Sequence, residues 1–260
     1  MSNAKGLIMS LMLMVLAICA SVGTAEELTY QERELFKCFD GKVTIEPQKT
    51  KKAIDRAALP AVAMKASTRE YLETHGPHAG KVFTRTVKPT RSYPKSWPAT
   101  SKGAVTDTIP GDYVFYQIMD KDRGLISLVE LDLHSTVQVA YQPGEIMVPS
   151  SGNVDPYKVK VKVYDLNNPT SVKHTGEFNV QTKDRGQWTV KTPAGTFDCV
   201  LYTTTYNGSV GPASVKDTAM VFVNPEHGVI AKVTRNKVSA FLVYNADDRF
   251  GFVLNKKPAS

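Results

Sequence analysis

Apolar and polar residues alternate along most of the chain beyond residue 112. The clearest alternation runs over residues 157–164, where valines alternate with lysines between two tyrosines. In an extended strand the valines would point to one face and the lysines to the other, as a half-buried strand requires. We therefore predict about eleven strands. The other candidates are residues 113–119, 125–133, 137–141, 177–182, 187–192, 196–206, 216–223, 228–235, 239–244 and 250–254.

Short loops separate these candidate strands, and the strongest turn signal is Asn207-Gly208. Asn-Gly favours a tight hairpin because both residues tolerate a positive φ. We expect this hairpin to join the strand that ends at Tyr206 to the strand over residues 216–223. The loops are too short to hold crossover helices, and a sheet of so many twisted strands curls. The predicted fold class is mainly β, an antiparallel meander curling into an open or half-closed barrel.

The first 25 residues are typical of a cleaved export signal. Lys5 is the only charged residue before residue 26, and residues 7–19 are almost all apolar. This stretch has the length of a signal peptide rather than of a membrane span. Small residues at Gly23 and Ala25 fit the positions that a signal peptidase reads. We predict cleavage at Ala25/Glu26 and an exported protein, periplasmic or secreted; a retained N-terminal helix is the alternative.

The region between the signal and the strands contains many prolines and few apolar runs. Thr29 and Glu32 fit a capping box, which predicts a short helix over residues 30–39. Pro60 fits the first turn of a second helix, which we expect over residues 61–74. The predicted organisation is a signal peptide (1–25), a small helical and irregular N-terminal region (26–111) and an antiparallel β domain (112–257).

Positive charge is concentrated in one segment of the chain. The formal net charge is +7, and residues 42–102 hold 13 Lys and Arg against 4 Asp and Glu. Such a segment can contact an anionic membrane surface, or it can be a solvated linker. Basic residues interleaved with aromatics also suit single-stranded nucleic acid, but export makes that partner unexpected. The candidate contacts to an anionic surface are Lys81, Arg85, Lys88, Arg91 and Lys95.

The chain has three cysteines, and two of them follow the predicted cleavage site. Cys19 lies inside the signal, where a lipid-modified cysteine would need a small residue in place of the bulky Ile18. An oxidising compartment permits a disulfide between Cys38 and Cys199. Two buried free thiols are the alternative, and the sequence leaves both open.

The sequence contains only weak candidates for a catalytic or metal-binding motif. His75-Gly76-Pro77-His78 brings two imidazoles close together, but two ligands do not make a metal site and Pro77 prevents a helix. Gly208-Ser209-Val210-Gly211 lacks the spacing of a nucleophile elbow. We therefore expect no catalytic residues, no metal and no cofactor.

Three motifs carry a family resemblance. They are residues 141–149 (Tyr-Gln-Pro-Gly-Glu-Ile-Met-Val-Pro), residues 192–198 (Thr-Pro-Ala-Gly-Thr-Phe-Asp) and the turn from Phe222 to Gly228. In this order they resemble the DUF3108-type uncharacterised bacterial periplasmic proteins. The resemblance covers roughly residues 112–255, and it implies a half-barrel similar to the lipoprotein-sorting carriers of the bacterial envelope.

Those carriers keep an apolar cavity for acyl chains, which implies a candidate ligand site here. The candidate cavity-lining residues are Val159, Val161, Val163, Phe197, Leu201, Val221, Val229 and Phe241, which can equally fill a core. We expect a non-enzymatic envelope protein that binds an apolar or lipid-like ligand, or a partner segment, on a curved sheet. The alternatives are an assembly factor that recruits a partner chain by strand-edge pairing and an enzyme of unknown type. The oligomeric state is not encoded in any of these patterns.

Overall fold

The described residues of the chain form one antiparallel sheet of thirteen strands. The computed structural model describes residues 27–48, 53–91, 104–240 and 244–258. The strands are β1 Thr44–Pro47, β2 Ser67–His75, β3 Val82–Pro89, β4 Val105–Ile109, β5 Tyr113–Asp120, β6 Gly124–Asp132, β7 Val137–Pro149, β8 Val154–Asp165, β9 Asn168–Thr192, β10 Gly195–Val210, β11 Ala213–Asn224, β12 Gly228–Ala240 and β13 Tyr244–Lys256. Two short α-helices, α1 Tyr30–Phe36 and α2 Leu59–Met64, adjoin the 3-10 turns Lys37–Phe39 and Arg56–Ala58.

Strands β2 to β13 close into a barrel of twelve strands. Each strand from β2 onward pairs with the next strand along the chain, and β13 returns to pair with β2. Leu254 of β13 lies opposite Tyr71 of β2 in this closing pair. The predicted antiparallel, mainly β fold is confirmed. The barrel is closed rather than open or half-closed because β2, which the sequence analysis missed, supplies the closing partner.

The region before residue 112 contributes three strands to the barrel, so the expected start of the sheet at Asp112 is wrong. Strands β2, β3 and β4 all precede that residue. The helix expected over residues 61–74 ends at Met64, although Pro60 does occupy its first turn. The two short helices are confirmed, including the capping box of Thr29 and Glu32 at α1.

The hairpin predicted at Asn207-Gly208 is also wrong. Both residues lie inside β10, where they pair with Lys216 and Val215 of β11. The chain turns instead after Val210, where Gly211 adopts a φ of +55°. Gly208 is a glycine for another reason: a β-carbon there would collide with the backbone carbonyl oxygen of Glu177 in β9.

The two helices cover different parts of the barrel. α2 contacts both β6 and β12, and these strands lie on opposite sides of the twelve-strand ring. It therefore lies across one end of the barrel, with Leu59 and Ala63 packed against Val200 and Tyr202. No described helix is long and apolar enough to cross a membrane.

α1 and the 3-10 turn after it pack against the outer face of β9 to β13. Phe36 contacts the rings of Trp188 and Phe222 at centroid distances of 6.0 and 5.8 Å. The cluster beneath them includes Cys38 and Cys199, both fully buried and both free thiols. In this structure the two thiols are not bonded to each other.

Candidate functional site

A large cavity occupies the interior of the barrel. Its volume is ≈ 1700 Å³, and it extends inward from the β2–β3 turn at residues 76–81 and from His134 after β6. The opposite end of the barrel is the one that α2 covers. Within the described residues, the cavity therefore opens among the turns at the end away from α2.

Apolar side chains form much of the cavity wall. They project from inward positions of neighbouring strands, since residues directly opposite in an antiparallel pair share a face. Val159 of β8 lies opposite Phe178 of β9, and Val221 of β11 lies opposite Lys232 of β12. The apolar lining residues include Phe83, Phe115, Ile146, Met147, Val159, Phe178, Val180, Ala219, Val221, Phe250 and Phe252.

One ion pair crosses the interior between β3 and β4. Arg85 donates from Nε to Asp107 Oδ1 at 2.8 Å and from Nη2 to Asp107 Oδ2 at 2.5 Å. The guanidinium carbon also lies 6.0 Å from the centroid of the Phe115 ring and 5.9 Å from that of Phe252. This arrangement satisfies the buried cation with a bidentate carboxylate and two ring faces.

Three further carboxyl groups face the cavity from β6, β7 and β11. The Tyr141 hydroxyl donates to Glu130 Oε2 at 3.0 Å, and the Tyr206 hydroxyl donates to Glu145 Oε1. Asp217 accepts the backbone N–H of Lys237 at 3.2 Å.

These carboxyl groups hold their protons more tightly than usual. Burial, followed by the charge of Glu145, raises the pKa of Glu130 to about 7. Burial raises the pKa of Glu145, although the hydrogen bond from Tyr206 opposes it. Burial also raises the pKa of Asp217 to about 6, with Glu145 again contributing. Desolvation disfavours the charged form of each group, and the neighbouring negative charges add to it.

Lys232 is a further cation that faces the cavity. It lies on β12 between Val221 and Phe252, which are its neighbours across the sheet. Burial lowers the pKa of Lys232, and Arg85 lowers it further, while Glu145 and Glu130 oppose both effects. Within the described chain, this ammonium makes no hydrogen bond and no ion pair within 4 Å.

The predicted cavity-lining residues separate into groups. Val159 and Val221 line the cavity. Val161 and Val163 pack in the same interior cluster as Val159 without lining it. Phe197, Leu201 and Val229 belong to the core cluster that contains the α1 contacts. Phe241 lies outside the described residues.

The predicted anionic-surface residues do not share one surface, and Arg85 contradicts the assignment. Arg85 points into the barrel and is 9% exposed, because it lies on the inward face of β3 whereas Lys88 is on the outward face. Lys81 is exposed and lines the cavity mouth. Lys88 and Arg91 are exposed toward the other end of β3. Lys95 lies outside the described residues.

Sequence reasoning missed the interior polar group altogether. Glu130, Glu145, Asp217 and Lys232 come from four strands, so no local motif connects them. The available signal was a charged residue at an inward position of an alternating strand. In Ala231-Lys232-Val233, the lysine stands where the alternation puts an interior residue.

Comparisons with known proteins give a limited result. No family model matches this chain, and no curated protein matches it either. One similar solved structure, from Bacteroides fragilis, is described as a predicted exported protein with a YmcC-like fold. It is 12% identical, with 75% of this chain and 96% of that chain covered and a TM-score of 0.37. A second, a predicted lipoprotein from Parabacteroides distasonis, is 13% identical, with 75% and 95% covered and a TM-score of 0.33.

At these identities and TM-scores the two structures support no inference about function. The family scan does not support the expected membership of the DUF3108-type proteins.

Proposed function

We propose that this chain is an exported, non-enzymatic protein that binds an amphipathic small molecule inside its barrel. The cavity of ≈ 1700 Å³ carries the proposal, because small-molecule pockets typically measure about 300–1,000 Å³. A barrel whose core is filled by its own side chains would leave no such space.

The chemistry of the wall supports an amphipathic ligand rather than a purely apolar one. Phe178, Val180 and Val221 offer apolar surface, while Glu130 and Lys232 offer charge in the same cavity. A ligand with a hydrocarbon or aromatic body and one polar end would satisfy both. Purely apolar ligands would leave the charged groups without partners, and burying such groups unpaired is unfavourable.

Strand-edge pairing with a partner chain has less support. In the described part of the chain, every barrel strand has a neighbour on both sides. The exposed edge that remains is β1, which pairs with β9 over only four residues, Thr44–Pro47. An edge of that length offers few main-chain hydrogen bonds to a partner.

Filling the cavity with a larger side chain tests the proposal. Val221→Trp places an indole in the interior, and Val172→Trp is the matched control at a residue that is 45% exposed. With decanol as the probe in calorimetry, we expect Val221→Trp to weaken binding at least tenfold and Val172→Trp to leave it unchanged. A Val221→Trp variant that binds decanol as tightly as the wild type would contradict the proposal, as would a wild type that binds no ten-carbon amphiphile, whether its polar end is neutral, cationic or anionic.

Export is part of the same proposal, and it rests on the Gly23-Thr24-Ala25 boundary. Intact-mass analysis of protein purified from its own host should show a chain that begins at Glu26. A chain that retains residues 1–25, or one that begins at a lipid-modified Cys19, would contradict the cleavage site. Native mass spectrometry of the same sample should also detect a bound small molecule.

A further inference from the structure

Among the described side chains that face the cavity, carboxyl groups outnumber cationic groups. Arg85 and Asp107 neutralise each other in a bidentate ion pair. Around Glu130, Glu145 and Asp217 the described lining then offers one cation, Lys232. Apart from Arg85, the rest of the lining holds four more carboxyl groups against two more cationic side chains; these residues are Glu73, Asp112, Asp247, Asp248, Lys81 and Arg249. The interior therefore carries an excess of negative groups, and a positively charged ligand group would offset it.

The two glutamates are positioned to accept further hydrogen bonds. Glu130 accepts from Tyr141 through Oε2, and Glu145 accepts from Tyr206 through Oε1. Each tyrosine orients its carboxylate, and each carboxylate has its second oxygen without a protein partner among the described residues. A carboxylate with a free oxygen is an acceptor that suits an N–H donor.

A buried serine beside this group also lacks a partner. Ser127 of β6 lies directly across from Glu145 of β7 and therefore projects from the same face of the sheet. The residue is 1% exposed, and its hydroxyl makes no hydrogen bond within the described chain. Buried hydroxyls are normally satisfied, so an unpaired polar group lies beside Glu145 on this face of the sheet, although Ser127 itself does not line the cavity.

Aromatic rings complete the surroundings of the glutamates. The Phe178 ring packs edge-on against Tyr206 at a centroid distance of 6.4 Å, and Tyr206 in turn holds Glu145. Ring faces attract cations. The interior already uses this property, since the Arg85 guanidinium lies over the rings of Phe115 and Phe252.

We propose that the ligand is a cationic amphiphile, with an amine or quaternary ammonium group at Glu130 and Glu145 and an apolar body against the Phe178 and Val221 wall. This inference rests on the proposed function, because it names the class of ligand for the same cavity. An anionic amphiphile fits poorly at this place. Among the described lining residues Lys232 is the one cation beside Glu130, Glu145 and Asp217, and Arg85 is already engaged by Asp107.

Three probes of equal chain length separate the alternatives: decylamine, decanol and decanoate. At pH 8 the amine is cationic and the carboxylate anionic, and calorimetry gives the affinity of each. We expect decylamine to bind at least tenfold more tightly than decanol, and decanoate more weakly than decanol. Equal affinities for the amine and the alcohol, or tighter binding of decanoate, would overturn the inference while leaving the proposed function intact. If none of the three probes binds, the proposed function itself fails.

Two variants test whether the glutamates cause the preference for decylamine over decanol. Glu130→Gln and Glu145→Gln keep a hydrogen-bond acceptor for Tyr141 and Tyr206 but remove the charge. We expect each to lose most of the preference for decylamine over decanol, while the retained affinity for decanol shows that the cavity is intact. The matched control is Glu177→Gln on the outer face of β9, where Glu177 pairs with Lys158. A preference that survives both interior variants would overturn the assignment.

Discussion

Glu32 of α1 and Arg185 of β9 form an ion pair that is almost completely removed from solvent. Arg185 donates to Glu32 Oε1 from Nη2 at 2.7 Å and from Nε at 3.0 Å, and each side chain is 6% exposed. Burial raises the pKa of Glu32, but the hydrogen bonds from Thr29 and Arg185 outweigh it and lower the pKa overall. This pair fixes α1 to the outside of the barrel.

The first prediction concerns the stability that depends on this pair. Replacing Arg185 with Met leaves a buried, unpaired carboxylate, which typically destabilises a protein by about 3–5 kcal/mol. Adding Glu32→Gln to that variant should recover part of the loss, because glutamine can still serve the capping box at Thr29. Chemical denaturation of the two single variants and the double variant measures the coupling.

The exposed pair of Lys158 and Glu177 is the control for this measurement. Its side chains are 68% and 41% exposed, so Lys158→Met should change the free energy of unfolding by less than about 1 kcal/mol. An Arg185→Met variant as stable as Lys158→Met would show that α1 is not held by the ion pair.

The predictable part of the fold is the part whose inward residues are apolar. In β8, Val159 and Val161 point inward and Lys158 and Lys160 point outward, so the alternation was visible in the sequence. In β2, the inward-facing side includes Glu73, which lines the cavity. Because β2 has charged residues on both faces, its sequence does not alternate between apolar and polar residues. The sequence pattern therefore predicts a helix there instead of a strand.

The same physical reason explains why the candidate site was only partly predicted. A sequence search for acid–base pairs examines neighbours along the chain, such as Asp247 and Asp248. Glu130, Glu145 and Lys232 become neighbours only when the barrel closes, and closure depends on the missed β2. Of the predicted lining residues, Phe197 and Leu201 pack in the core because the outer face of β10 is covered by α1, which a strand pattern does not reveal.

The second prediction tests the role of Gly208. Its φ is not positive, and a β-carbon would collide with the backbone of Glu177 and Phe178. Gly208→Ala should therefore destabilise the barrel by about 1–3 kcal/mol, as overpacking does. Gly152→Ala is the matched control, since its β-carbon would meet nothing closer than the Asp184 side chain at 3.6 Å. Thermal unfolding of both variants makes the comparison, and equal stabilities would refute the close-approach explanation.

The third prediction concerns the thiols. Cys38 and Cys199 are 1% and 0% exposed, and burial raises the pKa of both. A thiol-alkylating reagent should leave both unmodified in the native protein, since the thiolate is the reactive form. After denaturation without a reductant, mass spectrometry should find both alkylated. If alkylation after denaturation requires a reductant, the two cysteines are bonded and the assignment of free thiols is wrong.

The last prediction concerns the pH dependence of stability through Glu130. Its pKa is raised from 4.5 to about 7 in the folded protein, so between these values the folded state keeps a proton that the unfolded state has released. Glu130 therefore contributes stability below about pH 4.5, and this contribution is lost as the pH rises through about 7. For a half-buried group with this rise in pKa, the stability lost between pH 5 and pH 8 is roughly 2 kcal/mol.

Glu130→Gln removes this titration and leaves Glu145 and Asp217 in place. We expect the free energy of unfolding of the wild type to fall by about 2 kcal/mol more than that of Glu130→Gln between pH 5 and pH 8. Denaturant titrations of both proteins at the two pH values give the difference, and Glu177→Gln on the outer face should follow the wild type. Parallel curves for the wild type and Glu130→Gln would mean that Glu130 ionises normally in the folded barrel, and the interior would then be better solvated than its lining of Phe178, Val180 and Val221 implies.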